Sequence, residues 1–342
     1  MRIGQNPEKE NKDIKIENYH RIIVPVYIPN FEGYFSNSLD IFKLCIESLL
    51  LTVHAKTRIT IYNNNSHKLV KEYIDLKYSE SKFIDQVFHS KENLGKINAI
   101  LAASKGNLEP LITITDADVL FKNGWQKAVE KVIVNFPEAG MVSPVPSSKV
   151  YKMFTSNNWY YGFFKGNLLF QNVIDAEAMH KFDLSLGNDK LMYKPIHLKK
   201  YLVIRNKKNK QEAVMGCGHF VATLKREVFD YGSNKPAFVK IVGGVERIFI
   251  DTPNEKLGLL RLATKENYAY HMGNKIENWM YEEFSKLKTH TIDNSYKATD
   301  FKFKPVSKIG MLIGKLLLKI ISRSSLLEIK LLNYLGLDNK EY

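Results

Sequence analysis

Two carboxylates separated by one small residue, Asp116-Ala117-Asp118, close a short run of apolar and β-branched residues, Leu111-Ile112-Thr113-Ile114-Thr115. Such a run reads as a buried strand. Alternate residues of an extended segment leave on the same side, so Asp116 and Asp118 are spaced to serve one bound cation. Two unpaired carboxylates at one strand end repel each other, and a divalent ion or a set of donors is their natural partner. Taken alone, the tripeptide reads more simply as an Asp-rich turn. Its meaning depends on the elements that position it.

Those elements alternate. Arg21 to Tyr27 reads as a first buried strand, with Pro25 near its end where a missing donor does least harm. A helix over 39–54 follows, then a strand over 57–62 broken by Asn63-Asn64-Asn65-Ser66 and a helix over 67–77. A strand over 83–89 leads through Asn93-Leu94-Gly95 into a helix over 96–104. The 111–116 strand, a helix over 125–135 and a strand over 140–143 complete the series. Strand-helix alternation over five strands predicts an α/β fold, a mostly parallel Rossmann-like sheet flanked by helices. Ligands of such sheets sit beyond the carboxyl ends of the strands, where Tyr27, Asn63 to Ser66 and the Asp pair all lie.

After residue 144 the alternation stops. The stretch 150–200 is rich in aromatic residues and shows no clear period, a hairpin is expected over 201–215, and Gly216-Cys217-Gly218 precedes another strand. His219 there either lines a pocket or is simply packed. Thr252-Pro253-Asn254-Glu255 predicts a helix start, ended by Gly258.

Composition narrows the partners. The 342 residues are 44% hydrophobic and 25% charged, as in an ordinary globular protein, with 50 Lys plus Arg against 36 Asp plus Glu and a formal charge of +14. That balance favours phosphorylated small molecules, an anionic membrane surface or nucleic acid without choosing among them. Cys45 and Cys217 are too few for a disulfide scaffold and fit a reducing compartment. No apolar run approaches the ~18 residues of a spanning helix, and the polar N-terminus has no secretory signature. A cytoplasmic protein is expected, peripheral at most on the inner face of a membrane.

Several pieces then resemble one family, the nucleotide-sugar glycosyltransferases of GT-A fold and inverting family-2 type. Val24-Pro25-Val26-Tyr27 is similar to the family's first strand, and Asn63-Asn64-Asn65-Ser66 stands where Asp-x-Gly-Ser is usual. Asn93-Leu94-Gly95-Lys96-Ile97-Asn98-Ala99, Asp116-Ala117-Asp118 and Gly124-Trp125 follow in the family's order. The resemblance implies that Asp118 ligates Mn2+ or Mg2+, with Asp116 toward the ribose or the metal. It puts Pro25, Tyr27 and Asn63 at the nucleobase, with Asn93 and Lys96 meeting base or phosphate. Asn63 replaces the usual Asp, which leaves base preference open, although a UDP-sugar is favoured. Tyr268-Ala269-Tyr270-His271-Met272-Gly273-Asn274 resembles the late segment that supplies a third metal ligand, here His271. The general base of an inverting transfer would be Glu246 or its rival Asp251, and the family's acidic pair is absent.

The implied reaction moves a sugar from a nucleoside diphosphate sugar to a glycan precursor or surface polymer, with a lipid-linked acceptor among the alternatives. A sugar-1-phosphate nucleotidyltransferase is the alternative enzyme, and a basic nucleic-acid-binding protein the alternative without catalysis, although no nucleic-acid partner is expected. The organisation expected is a polar arm (1–19), a nucleotide-sugar half (20–146), an acceptor and catalytic half (147–300) and a basic amphipathic helical tail (301–342). In the tail, Lys308, Lys315, Lys319, Arg323 and Lys330 fall within about 80° on one continuous helix, beside an apolar face. That pattern fits an anionic membrane surface, the catalytic domain or a sister subunit, with Ser322 to Ser325 a possible break. Oligomeric state is not legible.

Overall fold

The structure, a computed structural model, describes residues 3–6, 9, 14–240, 244–287, 301–337 and 342. Parts of the expected N-terminal arm and the end of the expected acceptor half, 288–300, lie outside them.

The first half alternates as its periodicity predicts: β1 (His20–Val26), α1 (Ser38–Thr52), β2 (Thr57–Asn64), α2 (Lys68–Glu80), β3 (Ile84–Ser90), α3 (Lys96–Lys105) and β4 (Leu111–Thr115). A three-residue strand, β5 (Val119–Phe121), then precedes α4 (Trp125–Asn135) and β6 (Ala139–Ser143). The aromatic stretch resolves into α5 (Ser156–Phe164), β7 (Gly166–Asn172) and α6 (Ala176–Ser185). The expected hairpin is β8 (Lys200–Asn206) with β9 (Glu212–Met215), followed by β10 (Val221–Lys225) and α7 (Arg226–Tyr231). The rest comprises α8 (Thr252–Lys256), β11 (Leu260–Ala263), β12 (Ala269–His271), α9 (Asn278–Ser285), α10 (Lys308–Arg323) and α11 (Ser325–Tyr334).

One ten-stranded sheet carries the chain, in the order β3-β2-β1-β4-β10-β6-β11-β9-β8-β7. β3, β2, β1 and β4 are parallel neighbours, and β1 is buried along its whole length, as a central parallel strand must be. β10 inserts antiparallel between β4 and β6, so the two halves share a sheet rather than forming separate domains. The class is therefore α/β with a mixed sheet: parallel on the N-terminal side, with antiparallel β7, β8 and β9 at the far edge.

α8 begins at Thr252 with Pro253 in its first turn, as expected, although it continues a wider turn over Arg247–Asp251 and no side chain caps it. The tail is two helices, since the Ser324 side chain accepts from Leu327 N–H and starts α11 afresh. The phase relation of Lys330 to the α10 lysines therefore lapses. α10 packs on α5 through Gly310 and Gly314, where a Cβ would run into Tyr160 and Ser156. Leu332 and Leu337 are buried, and Phe170 N–H donates to Leu335 C=O, so the tail is built into the domain. No helix among the described residues is long and apolar enough to cross a membrane.

Candidate active site

β1 lies between β2 and β4, so connections leave its two sides in opposite directions and a crevice opens beyond the carboxyl ends. Asp116 is the first residue past β4, its N–H held by Phe220 C=O at 2.7 Å. β5 then pairs with β12, placing His271 opposite Val119, and Met272 N–H donates to Asp118 C=O at 2.8 Å. This small ladder brings His271 to the Asp pair across a long stretch of sequence. Its ring is oriented from behind, with Nδ1 2.8 Å from Ser185 Oγ, which leaves Nε2 3.4 Å from Asp118 Oδ2. Gly273 closes the turn at φ +72°, where a Cβ would sit 2.6 Å from Ser185 C=O. Only glycine allows that approach.

One ligand atom each from Asp116, Asp118 and His271 lie within 4.8 Å of one another. Asp118 Oδ1 is buried and has no hydrogen-bond partner. Burial pushes the Asp118 carboxyl above the ordinary carboxylate range; His271 and Lys96 oppose the shift, and Asp116 adds to it. An orphaned carboxylate oxygen, a second carboxylate and an oriented imidazole are a donor set that suits Mn2+ or Mg2+. The residues therefore fit the group that the sequence implies.

Lys96 is positioned by Gly95, whose φ of +85° opens α3 and whose Cβ would meet Lys240 C=O at 2.6 Å. Its ammonium pairs closely with Asp116 and lies 3.6 Å from Glu246 Oε1. Burial works against the charged form, but Asp116, Glu246 and Asp118 outweigh it and hold the lysine pKa above its usual value. Asp116 thus already has a cationic partner, whereas Asp118 Oδ1 does not.

These groups edge a cleft of about 840 Å³ whose lining includes Pro25, Tyr27, Asn93, Lys96, Asp116, Asp118 and His271. Asn63 is not in that lining. Its Nδ2 sits 3.0 Å from His89 Nδ1 and its Oδ1 accepts from Ser66 N–H, so the side chain braces the turn after β2. Asn64 faces the cleft instead, donating to Asn93 Oδ1 and accepting from Leu94 N–H. Glu246, one quarter exposed, reaches the site edge through Lys96. Asp251 does not: it is fully buried, 2.7 Å from His219 Nε2 and 3.4 Å from the Arg261 guanidinium. Sequence reasoning missed Asn64, Ser185 and the aromatic wall of Tyr34 and Phe35. Asn64 stood in the quoted turn, one register step away; Ser185 carried no local signal, because it reaches the site only through tertiary packing.

No family model matches this sequence, and no curated protein matches it. Solved structures overlap it in part. GalNAc-T7 with UDP, GalNAc and Mn2+ is 16% identical, with 74% of this chain and 43% of that chain covered at a TM-score of 0.47. The mannosyltransferase PcManGT from Pyrobaculum calidifontis, with GDP-Man and Mn2+, is 14% identical over 75% of this chain and 58% of that one, at 0.41. S. aureus TarS residues 1–349 with UDP-GlcNAc is 15% identical over 36% and 33%, at 0.29. The chain thus spans less than two thirds of each of these proteins.

Proposed function

We propose that this chain is a metal-dependent, inverting glycosyltransferase of the GT-A type, which moves a sugar from a nucleoside diphosphate sugar to a glycan-precursor acceptor. The observation that carries the reading is the convergence of Asp116, Asp118 and His271 at the β1/β4 crevice, with one buried Asp118 oxygen lacking a partner. Asp118 and His271 would hold Mn2+ or Mg2+, with Asp116 beside them, and the ion would neutralise charge on the departing diphosphate. Pro25, Tyr27, Asn93 and Asn64 border the space open to the nucleobase and ribose. Lys96 stands ready to exchange its Asp116 contact for a phosphate oxygen. Glu246 is the base we favour, because it keeps solvent access beside the cleft while Asp251 spends its carboxylate on His219 and Arg261.

The experiment is a screen of nucleoside diphosphate sugars with and without Mn2+, paired with UDP binding by calorimetry. Mn2+-dependent UDP binding that Asp118→Ala weakens at least about a hundredfold is expected, with free nucleoside diphosphate as the product. Retained metal-dependent binding in that variant would overturn the reading. Release of pyrophosphate would assign the site to nucleotidyl transfer instead.

The outer face of α10 suits a surface-bound acceptor. Ile309, Leu312 and Leu316 are 72%, 67% and 58% exposed on the side away from α5, and Lys308, Lys315 and Lys319 border them. An apolar ridge edged by cations lies well on anionic lipid.

A further inference from the structure

Beneath α10 lies a second cleft, of about 610 Å³, outside the donor site. Arg247 from the turn before α8, Lys315 and Lys319 from α10, and Lys152 from the segment before α5 line it. Lys152 is engaged, since its ammonium pairs with Glu328. Arg247, Lys315 and Lys319 make no ion pair within 4 Å among the described residues. Three cations facing one cavity repel one another, and an anion shared among them removes that cost. The walls between them are apolar: Met153, Phe154 and Leu318.

One carboxylate also lines the space. Glu255 is held by the Ser156 N–H at 3.1 Å and by the Ser156 hydroxyl, while its Oε2 is buried without a partner. Burial pushes this carboxyl up, while the Ser156 hydrogen bonds, Arg261 and Lys315 act to hold it down.

Position supplies the rest. Arg247 is the chain neighbour of Glu246, whose carboxylate lies 3.6 Å from Lys96 Nζ of the donor cleft, so one short segment contributes a residue to each region. The second cleft's other wall is α10, whose far face is the exposed apolar ridge. An anion with an alkyl chain matches this order of surfaces: charge toward Arg247, chain along Leu318 and outward.

We propose that this cleft binds the phosphate or diphosphate of an amphiphilic phosphate ester, with Arg247, Lys315 and Lys319 as counter-charges. That the ester is the acceptor rests on the glycosyltransferase reading; that it binds here does not. The test is calorimetry on the full chain with three probes: monomeric octyl phosphate, octanol and inorganic phosphate. Octyl phosphate binds best of the three, and both Lys315→Gln/Lys319→Gln and Arg247→Gln weaken it about tenfold or more, while UDP affinity with Mn2+ and the melting temperature hold. All three side chains are exposed, so folding is not at issue. Octanol binding as tightly as octyl phosphate, inorganic phosphate doing so, or variants that bind unchanged would each overturn the proposal. A wild-type chain that takes octyl phosphate but not UDP would sink the donor reading and leave this one standing.

Discussion

At the residue scale, the two candidate bases are separated by what each already touches. Glu246→Gln keeps the shape of the side chain and removes the proton acceptor. Turnover should fall by about 10²–10⁴ with UDP affinity within a few-fold of wild type, measured by steady-state kinetics and calorimetry. A variant with undiminished kcat would remove Glu246 from the chemistry. Asp251→Asn would instead strip a buried charge from between His219 and Arg261, and so register mainly in the melting temperature. That Pro25, Tyr27, Asn93, Lys96, Asp116 and Asp118 share one cleft was legible in the sequence because they sit in contiguous segments at strand ends. Asn63 against Asn64 was not: adjacent residues of one strand point to opposite faces, and a run of identical asparagines gives no clue to which side faces the cleft.

At the element scale, strands and helices of five residues or more were readable over the first half, since each has a period. β5 and β12 have three residues each, too few to show alternation, and yet they carry the alignment of His271 with Asp118. The aromatic stretch was illegible for a related reason. Trp159 and Tyr161 are buried on α5 while Phe164 is exposed, so hydrophobicity there marks three surroundings at once: the sheet, the tail helix and solvent. For α10, the packing reading holds on the face toward α5, and the opposite face carries the exposed apolar ridge that the proposed lipid contact would use. Replacing Leu312 and Leu316 by Ser together should leave the melting temperature within about 1 °C, because both are exposed. Sedimentation with phosphatidylglycerol vesicles should drop severalfold at low salt; equal pelleting of variant and parent would remove the lipid assignment.

At the scale of the whole molecule, acid should act on the seam between tail and sheet. His197 is buried, its Nδ1 accepting from Lys194 N–H and its ring edge-on to Tyr342 at 4.8 Å. Burial lowers its pKa to about 4, with Lys149 and Lys194 adding to the shift. The sign follows. Above pH ~6.5 the ring is neutral folded and unfolded; below it the unfolded chain takes up a proton that the folded chain refuses until about pH 4. Stability is thus fully present above the unfolded value and declines across that window, by at most about 3 kcal/mol. Buried His20 and Glu130, both shifted down, push the same way. A melting temperature that falls between pH 6.5 and 4, and falls less in His197→Gln, is expected; a pH-independent one would contradict it.

The antiparallel strand β10 has a consequence for how the protein is made. It lies between β4 and β6, so the edge of β4 that ends in the Asp pair has no neighbour until residue 225 has left the ribosome. At ordinary elongation rates that interval is roughly 5–20 s, during which a nascent chain displays a strand destined for full burial with unmet hydrogen bonds along one edge. Final assembly of the Asp116, Asp118 and His271 cluster waits longer still, for His271 to emerge. The sheet is complete only once β11 seats between β6 and β9, so the period of exposed edges, when a chaperone helps most, runs on past β10.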